Sequence, residues 1–288
     1  MLTTGRSYRL KPDARARAAA GSGVVDQRSA PWLLGLPALV GMLFLLLPLA
    51  GLLVRAPWRG LPHILGQADV AQALVLSLVT ASVATGISLV LGIPIAYVLA
   101  RVQLPGVSLL RALVTLPLTL PPVVGGVALL LAFGRNGIVG IYVERWFGYS
   151  LPFTTAAVVV AETFVAMPFL VVSVEGALRS ADRRLDEAAA TLGASRLTTL
   201  WRVTLPAIGP SLLAGSVLCW ARALGEFGAT ITFAGNFPGT TQTMPLKVYL
   251  AFQTDPEAAI ALSLVLLLVS ITVLTALRDR WLRAGVSA

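Results

Sequence analysis

The feature that most constrains this chain is that its apolar residues run in blocks of membrane-spanning length. Six such blocks run from about Trp32 to Val54, Val70 to Ala100, Leu109 to Phe133, Pro152 to Val174, Ile208 to Ile231 and Ala258 to Leu277. A span needs about 20 apolar residues. The expected fold is therefore all-α, a polytopic membrane protein with about six transmembrane helices. Only 12% of residues are charged, against about 25% in soluble domains.

Prolines interrupt several blocks: Pro37 and Pro48 in the first, Pro94 in the second, and Pro117, Pro121 and Pro122 in the third. Each removes a backbone donor and bends its helix. Two readings fit the third block, a wall of packed interior or pathway and an ordinary kinked helix. The second block is longer than a span requires, which predicts tilt or an extension beyond the bilayer.

Charge sets the orientation. With the N-terminus inside, the inner segments hold sixteen of the 22 Lys and Arg residues, the outer loops five, and Arg222 falls within the fifth block. Inner loops carry the basic excess, so both termini are expected in the cytoplasm of a cell-membrane protein. The formal charge of +9 follows from that bias and from anionic lipid. No separate basic domain exists to hold nucleic acid.

Residues 1–30 read as a disordered basic cytoplasmic tail, and 31–288 as the transmembrane domain. The first block is too long for a signal sequence and reads as a retained span. The single cysteine, Cys219, reads as a small buried apolar residue, and the single histidine, His63, as a surface residue of the first outer loop. The two lysines, Lys11 and Lys247, end no glycine-rich phosphate loop. HExxH, GxSxG and Cys/His clusters are absent as well. No enzyme chemistry is visible in the chain, and no metal site or cofactor is expected in it. Transport or a scaffold role is left.

Residues 187–206 read EAAATLGASRLTTLWRVTLP. Leu185, Ala189 and Leu192 share one helix face. Gly193 allows a turn, Ser195 caps a second short helix with Leu197, Leu200 and Trp201 on its apolar face, and Pro206 ends the segment. The pattern fits a cytoplasmic helix–turn–helix, and equally a helix lying on lipid headgroups.

This stretch resembles the EAA loop of ABC-importer permeases. Glu187, Ala188, Ala189, Gly193, Val203, Leu205 and Pro206 stand at matching spacing. The resemblance implies a type I importer permease fold, with a coupling loop over about 180–207 that docks into a cleft on a separate ATPase. ATP and Mg would then be bound by that partner. ARALGEFGATITFAGNFPGTTQTMPLKVY, 221–249, and TLPLTLPPVVGGVALLLAFGRNGIVG, 115–140, are similar to molybdate permease subunits. The likeness covers about 68–280. It implies a homodimer, a pair of ATP-binding subunits and an external oxyanion-binding protein. Sulfate and thiosulfate permeases share the region of Gly225 and Glu226, and tungstate is nearly isosteric with molybdate, so those substrates stay open.

Thr230, Thr232 and Asn236 offer polar groups near the outer end of the fifth span. They fit a substrate path, and equally helix-end and turn residues. Arg222 and Glu226 are four apart, on one helix face, and charges inside a membrane tend to pair. The pair reads as structural, within the chain or across a dimer, with attraction of an anion by Arg222 as the functional alternative. Glu162 has no partner visible in the sequence. Such carboxylates would suit an ion-coupled secondary carrier, the rival transport reading; a membrane scaffold subunit is the rival of a different class.

Overall fold

In a computed structural model, residues 32–103 and 105–286 are described, with side chains over 34–103 and 105–275. The basic tail expected over 1–30 lies outside the described residues, as do the side chains of Arg278, Arg280 and Arg283. Among the described residues all regular structure is helical. The chain divides into a unit ending at Gly51 and a unit from Leu52 onward.

The first unit holds most of α1, Trp32–Val54, with Pro37 and Pro48 inside the helix. In the second unit, α2 is Leu61–Leu65 and α3 is Ala68–Arg101, a helix of 34 residues. Then come α4, Val107–Thr119, α5, Pro122–Phe133, and α6, Gly140–Phe147. Next is α7, Thr155–Ser180, whose first turn is capped by the Thr154 side chain accepting from Ala157 N. Among the described residues four helices are long and apolar enough to cross a membrane, α1, α3, α7 and the 256–275 stretch of the last helix, and the number rises to six, as expected, when each of two bent helix pairs counts as one span.

The expected third span is a bent pair of helices that together are long and apolar enough for one span. Leu120 and Pro121 leave the helical region, and α4 and α5 meet at 117°. The cause is local: a proline disfavours the helical conformation in the residue before it, and here Pro121 and Pro122 are consecutive. The expected fifth span is also broken. After α8 (Arg183–Thr191) and α9 (Arg196–Thr199), a π turn over Leu200–Thr204 leads into α10 (Leu205–Ala207). The segment ends one residue past Pro206, at Ala207. The chain turns at Ile208, and the stretch 196–207 makes 79° with α11, Gly209–Leu224. α11 stops 16 residues on, and α12, Gly228–Phe233, follows as a separate short helix. A helix that sequence periodicity missed, α13 (Met244–Thr254), precedes α14, Pro256–Val286.

The core forms where small residues let helices approach. α3 presents Ala81, Ala84 and Ala96 to Ala166, Leu170 and Val171 of α7, all fully buried. A Cβ on Gly92 would sit 3.2 Å from Val171 Cγ2, and one on Gly215 of α11 would sit 2.8 Å from Ser173 Cβ. Membrane helices gain from such contact because lipid tails are as apolar as the side chains they would replace. Hydroxyls inside α3 bond back to their own helix: Thr85 donates to Ala81 O and Ser88 to Ala84 O, each at 2.7 Å. A second cluster joins the two broken regions, with Leu129 of α5 and Ala157, Val158 and Ala161 of α7 packed around Ala229 and Phe233 of α12.

Candidate coupling segment and transport path

The 182–207 stretch is built by local signals. The Asp182 carboxylate accepts from Arg184 N at 2.9 Å and starts α8. The helix closes with Gly193 at φ +82°, its neighbour Ala194 N donating to Ala189 O at 3.0 Å. This is the six-to-one bond of a glycine-closed helix end, and the left-handed φ explains the glycine. Ser195 then accepts from Thr198 N at 3.2 Å and starts α9.

The segment leaves its apolar side chains uncovered. Leu192 is 88% exposed, Leu197 66% and Trp201 61%. Glu187 and Ala188 are exposed, Ala189 half-buried. Leu205 and Thr204 are buried, Val203 half-buried and Pro206 exposed. The second half of the motif therefore roots the segment in the bundle, while the first half faces outward.

Two polar contacts fasten it further. Thr204 Oγ1 donates to Asp186 Oδ1 at 2.9 Å, and Arg101 Nη2, at the end of α3, lies 3.4 Å from Asp186 Oδ2. Nearby, the buried Glu175 receives Arg111 Nη2 at 2.8 Å and Arg179 Nε at 2.9 Å on Oε1. Both arginines also donate to Leu99 O, at 3.3 and 2.9 Å, which caps the last turn of α3. Sequence reading missed Arg101, Arg111, Glu175 and Asp186. Only the Glu175–Arg179 spacing of four was a visible signal.

The candidate path residues lie at the second break. Arg222 is in the last turn of α11, and Glu226 is just past its end. Arg222 Nη1 sits 2.6 Å from Glu226 Oε2, and Glu226 Oε1 accepts from Ala229 N at 2.9 Å, in the first turn of α12. Thr230 is fully buried, and its hydroxyl has no partner among the described residues. Thr232 Oγ1 donates to Gly228 O at 2.8 Å. Asn236 is half-buried with Oδ1 unpartnered. Glu226 and Thr230 are buried, while Arg222, Thr232 and Asn236 are half-buried.

Glu162 has a partner that the sequence did not reveal. Thr80 Oγ1 of α3 donates to Glu162 Oε1 at 2.9 Å, and Glu162 is 1% exposed. One turn earlier Ser77 Oγ accepts from Met244 N at 2.7 Å, which fixes the start of α13.

Comparison with known proteins places this architecture. Residues 88–286 match the family described as "binding-protein-dependent transport system inner membrane component". The molybdenum transport system permease protein ModB of Mycobacterium tuberculosis is 51% identical over 235 residues, covering 82% of this chain and 89% of the relative. The sulfate transport system permease protein CysW of Synechococcus elongatus is 38% identical over 238 residues, covering 81% and 83%. The crystal structure of a bacterial alginate ABC transporter, in complex with alginate pentasaccharide-bound periplasmic protein, is similar at a TM-score of 0.66 and 18% identity, covering 85% of this chain and 91% of that one. At that identity the likeness is one of fold. Broken and intact membrane helices, an exposed bent segment between them and these matches agree: the chain belongs to the binding-protein-dependent transport system inner membrane components, and is a multi-pass transport component rather than an enzyme.

Proposed function

We propose that this chain is the permease of an ATP-driven oxyanion importer, with molybdate as its substrate. An external binding protein delivers the anion, and a separate pair of ATPase subunits binds ATP and Mg. Two copies of the chain form the path, both termini face the cytoplasm, and 182–207 is the surface that the ATPase grips. The observation that carries this reading is the coupling segment, rooted by Leu205 and Thr204 and bent at Gly193, with Leu192, Leu197 and Trp201 left uncovered.

The energetics agree. Bringing a dianion inward against 100 mV costs about 4.6 kcal/mol, at about 2.3 kcal/mol per charge. Uphill uptake therefore needs a power source, and this sequence has no phosphate loop to supply one. The 51% identity to a molybdenum permease, against 38% to a sulfate permease, favours molybdate over sulfate.

The test is uptake into proteoliposomes holding the permease, its ATPase and its binding protein, with ATP inside. Labelled molybdate accumulates, unlabelled tungstate competes and sulfate does not. Accumulation of sulfate with indifference to molybdate would move the chain to the sulfate branch. Accumulation driven by a proton gradient without ATP would favour the carrier reading, to which the buried Glu162 belongs.

A further inference from the structure

We propose that Arg101 and Asp186 form the positioning pair through which the coupling segment moves the long helix α3. The inference rests on the reading of 182–207 as the ATPase-docking surface. Asp186 directly precedes the EAA residues, yet it faces the bundle rather than the outside. Its Oδ1 holds Thr204 on the far side of the Gly193 bend, at 2.9 Å, so one carboxylate ties the two halves of the segment together. Its Oδ2 faces Arg101, the last residue of α3.

The Arg101 contact is loose. The Arg101 side chain is 9% exposed, its nearest Asp186 oxygen is 3.4 Å away, and the buried Nε and Nη2 have no hydrogen-bond partner among the described residues. A buried charge without hydrogen bonds is costly, and charge-assisted pairs close to about 2.7–2.9 Å when the backbone permits. Beside the pair is a cavity of about 200 Å³, lined by Tyr97 of α3 and by Asp186, Ala190, Arg196 and Thr204 of the segment. The segment therefore has room to shift toward α3, and the pair gains energy when it does. Arg101 is held in register by the neighbouring turn of α3, where Arg111 and Arg179 grip the Leu99 carbonyl. A small displacement of the docked segment is then felt by α3 and, through Glu175, by α4 and α7.

The experiment is a double-mutant cycle in nanodiscs with the ATPase and the molybdate-loaded binding protein. Arg101→Met, Asp186→Asn and the double variant are read for two quantities. One is the ATPase that co-purifies with the permease; the other is the ratio of ATP hydrolysis with and without loaded binding protein. We expect co-purification within twofold of wild type, a ratio lowered at least fivefold by each single change, and a double variant no worse than the poorer single. Arg101→Lys, which keeps the charge, recovers more than half of the ratio. A ratio unchanged in the singles, independent effects that multiply in the double, or losses that only track lost ATPase would overturn the proposal. Glu187→Lys separates the two levels. If it keeps its ATPase, the docking reading itself fails; if it loses the ATPase while Asp186→Asn keeps full stimulation, only the positioning pair fails.

Discussion

Arg222 Nη1 lies 2.6 Å from Glu226 Oε2, so a single ion pair spans the break between α11 and α12. The same carboxylate holds Ala229 N with its other oxygen. Glu226→Ala removes both contacts and leaves Arg222 unpaired, and we expect a loss of about 3 kcal/mol, the low end for breaking a buried pair. Glu226→Gln keeps an acceptor for Ala229 N and costs about 1 kcal/mol less, the usual worth of a helix cap. Unfolding midpoints of the purified permease in detergent give the order. Equal midpoints for the two variants would remove the capping role.

The contact of α5 with α12 depends on the absence of a side chain. A Cβ on Gly126 would sit 2.7 Å from Thr232 Cβ and 2.8 Å from Ala229 O. A backbone atom cannot step aside as a flexible side chain can, so Gly126→Ala should cost about 1–3 kcal/mol. Gly86 on α3 has nothing within 4 Å of its Cβ position, and Gly86→Ala should be neutral or gain up to about 1 kcal/mol. Thermal unfolding of the pair checks the contrast; similar behaviour would mean that α5 and α12 do not pack this closely.

Gly193 stands at φ +82° with open space around its Cβ position. Strain rather than crowding therefore decides the outcome of substitution. Gly193→Val should still insert into the membrane, yet bend the segment wrongly and retain less than a tenth of the co-purifying ATPase. Gly193→Asn, which tolerates the left-handed region, should retain most of it. Pull-down of the ATPase with tagged permease is the readout, and equal retention would show that the bend is not used.

At the other end of the bundle, Lys247 Nζ lies 2.5 Å from Asp69 Oδ2, which joins α13 to the start of α3. The carboxylate is 54% exposed, and exposed pairs contribute about 0–1 kcal/mol. Lys247→Met should shift the unfolding midpoint little and leave molybdate uptake within twofold of wild type. A large loss of uptake would assign Lys247 to the substrate path.

The sequence carried what local chemistry decides. Length of apolar run located α1, α3, α7 and α14, and the turn at Gly193 and the cap at Ser195 were legible as local signals, whereas the Asp182 cap was not drawn. Two breaks were less legible. Pro121 and Pro122 mark a bend in the third block with pathway lining and an ordinary kink both open, and the size of the turn, 117°, comes only with the structure. Nothing in the composition of 208–231 marked Gly225–Phe227 as an end, because what stabilises that end is Glu226 reaching both Arg222 and Ala229 N. Glu162 looked unpartnered because its partner, Thr80, is 82 residues away. Arg101 and Asp186 were invisible as a pair for the same reason. Helices are local events in sequence, while the ties between them depend on how the helices pack.

The most direct test of the account is ATP hydrolysis by the reconstituted complex with its binding protein empty or loaded with molybdate, tungstate or sulfate. We predict stimulation by the molybdate- and tungstate-loaded protein, none by sulfate, and loss of that stimulation in Glu187→Lys. Stimulation that survives Glu187→Lys would contradict the coupling segment, and stimulation by sulfate alone would contradict the substrate.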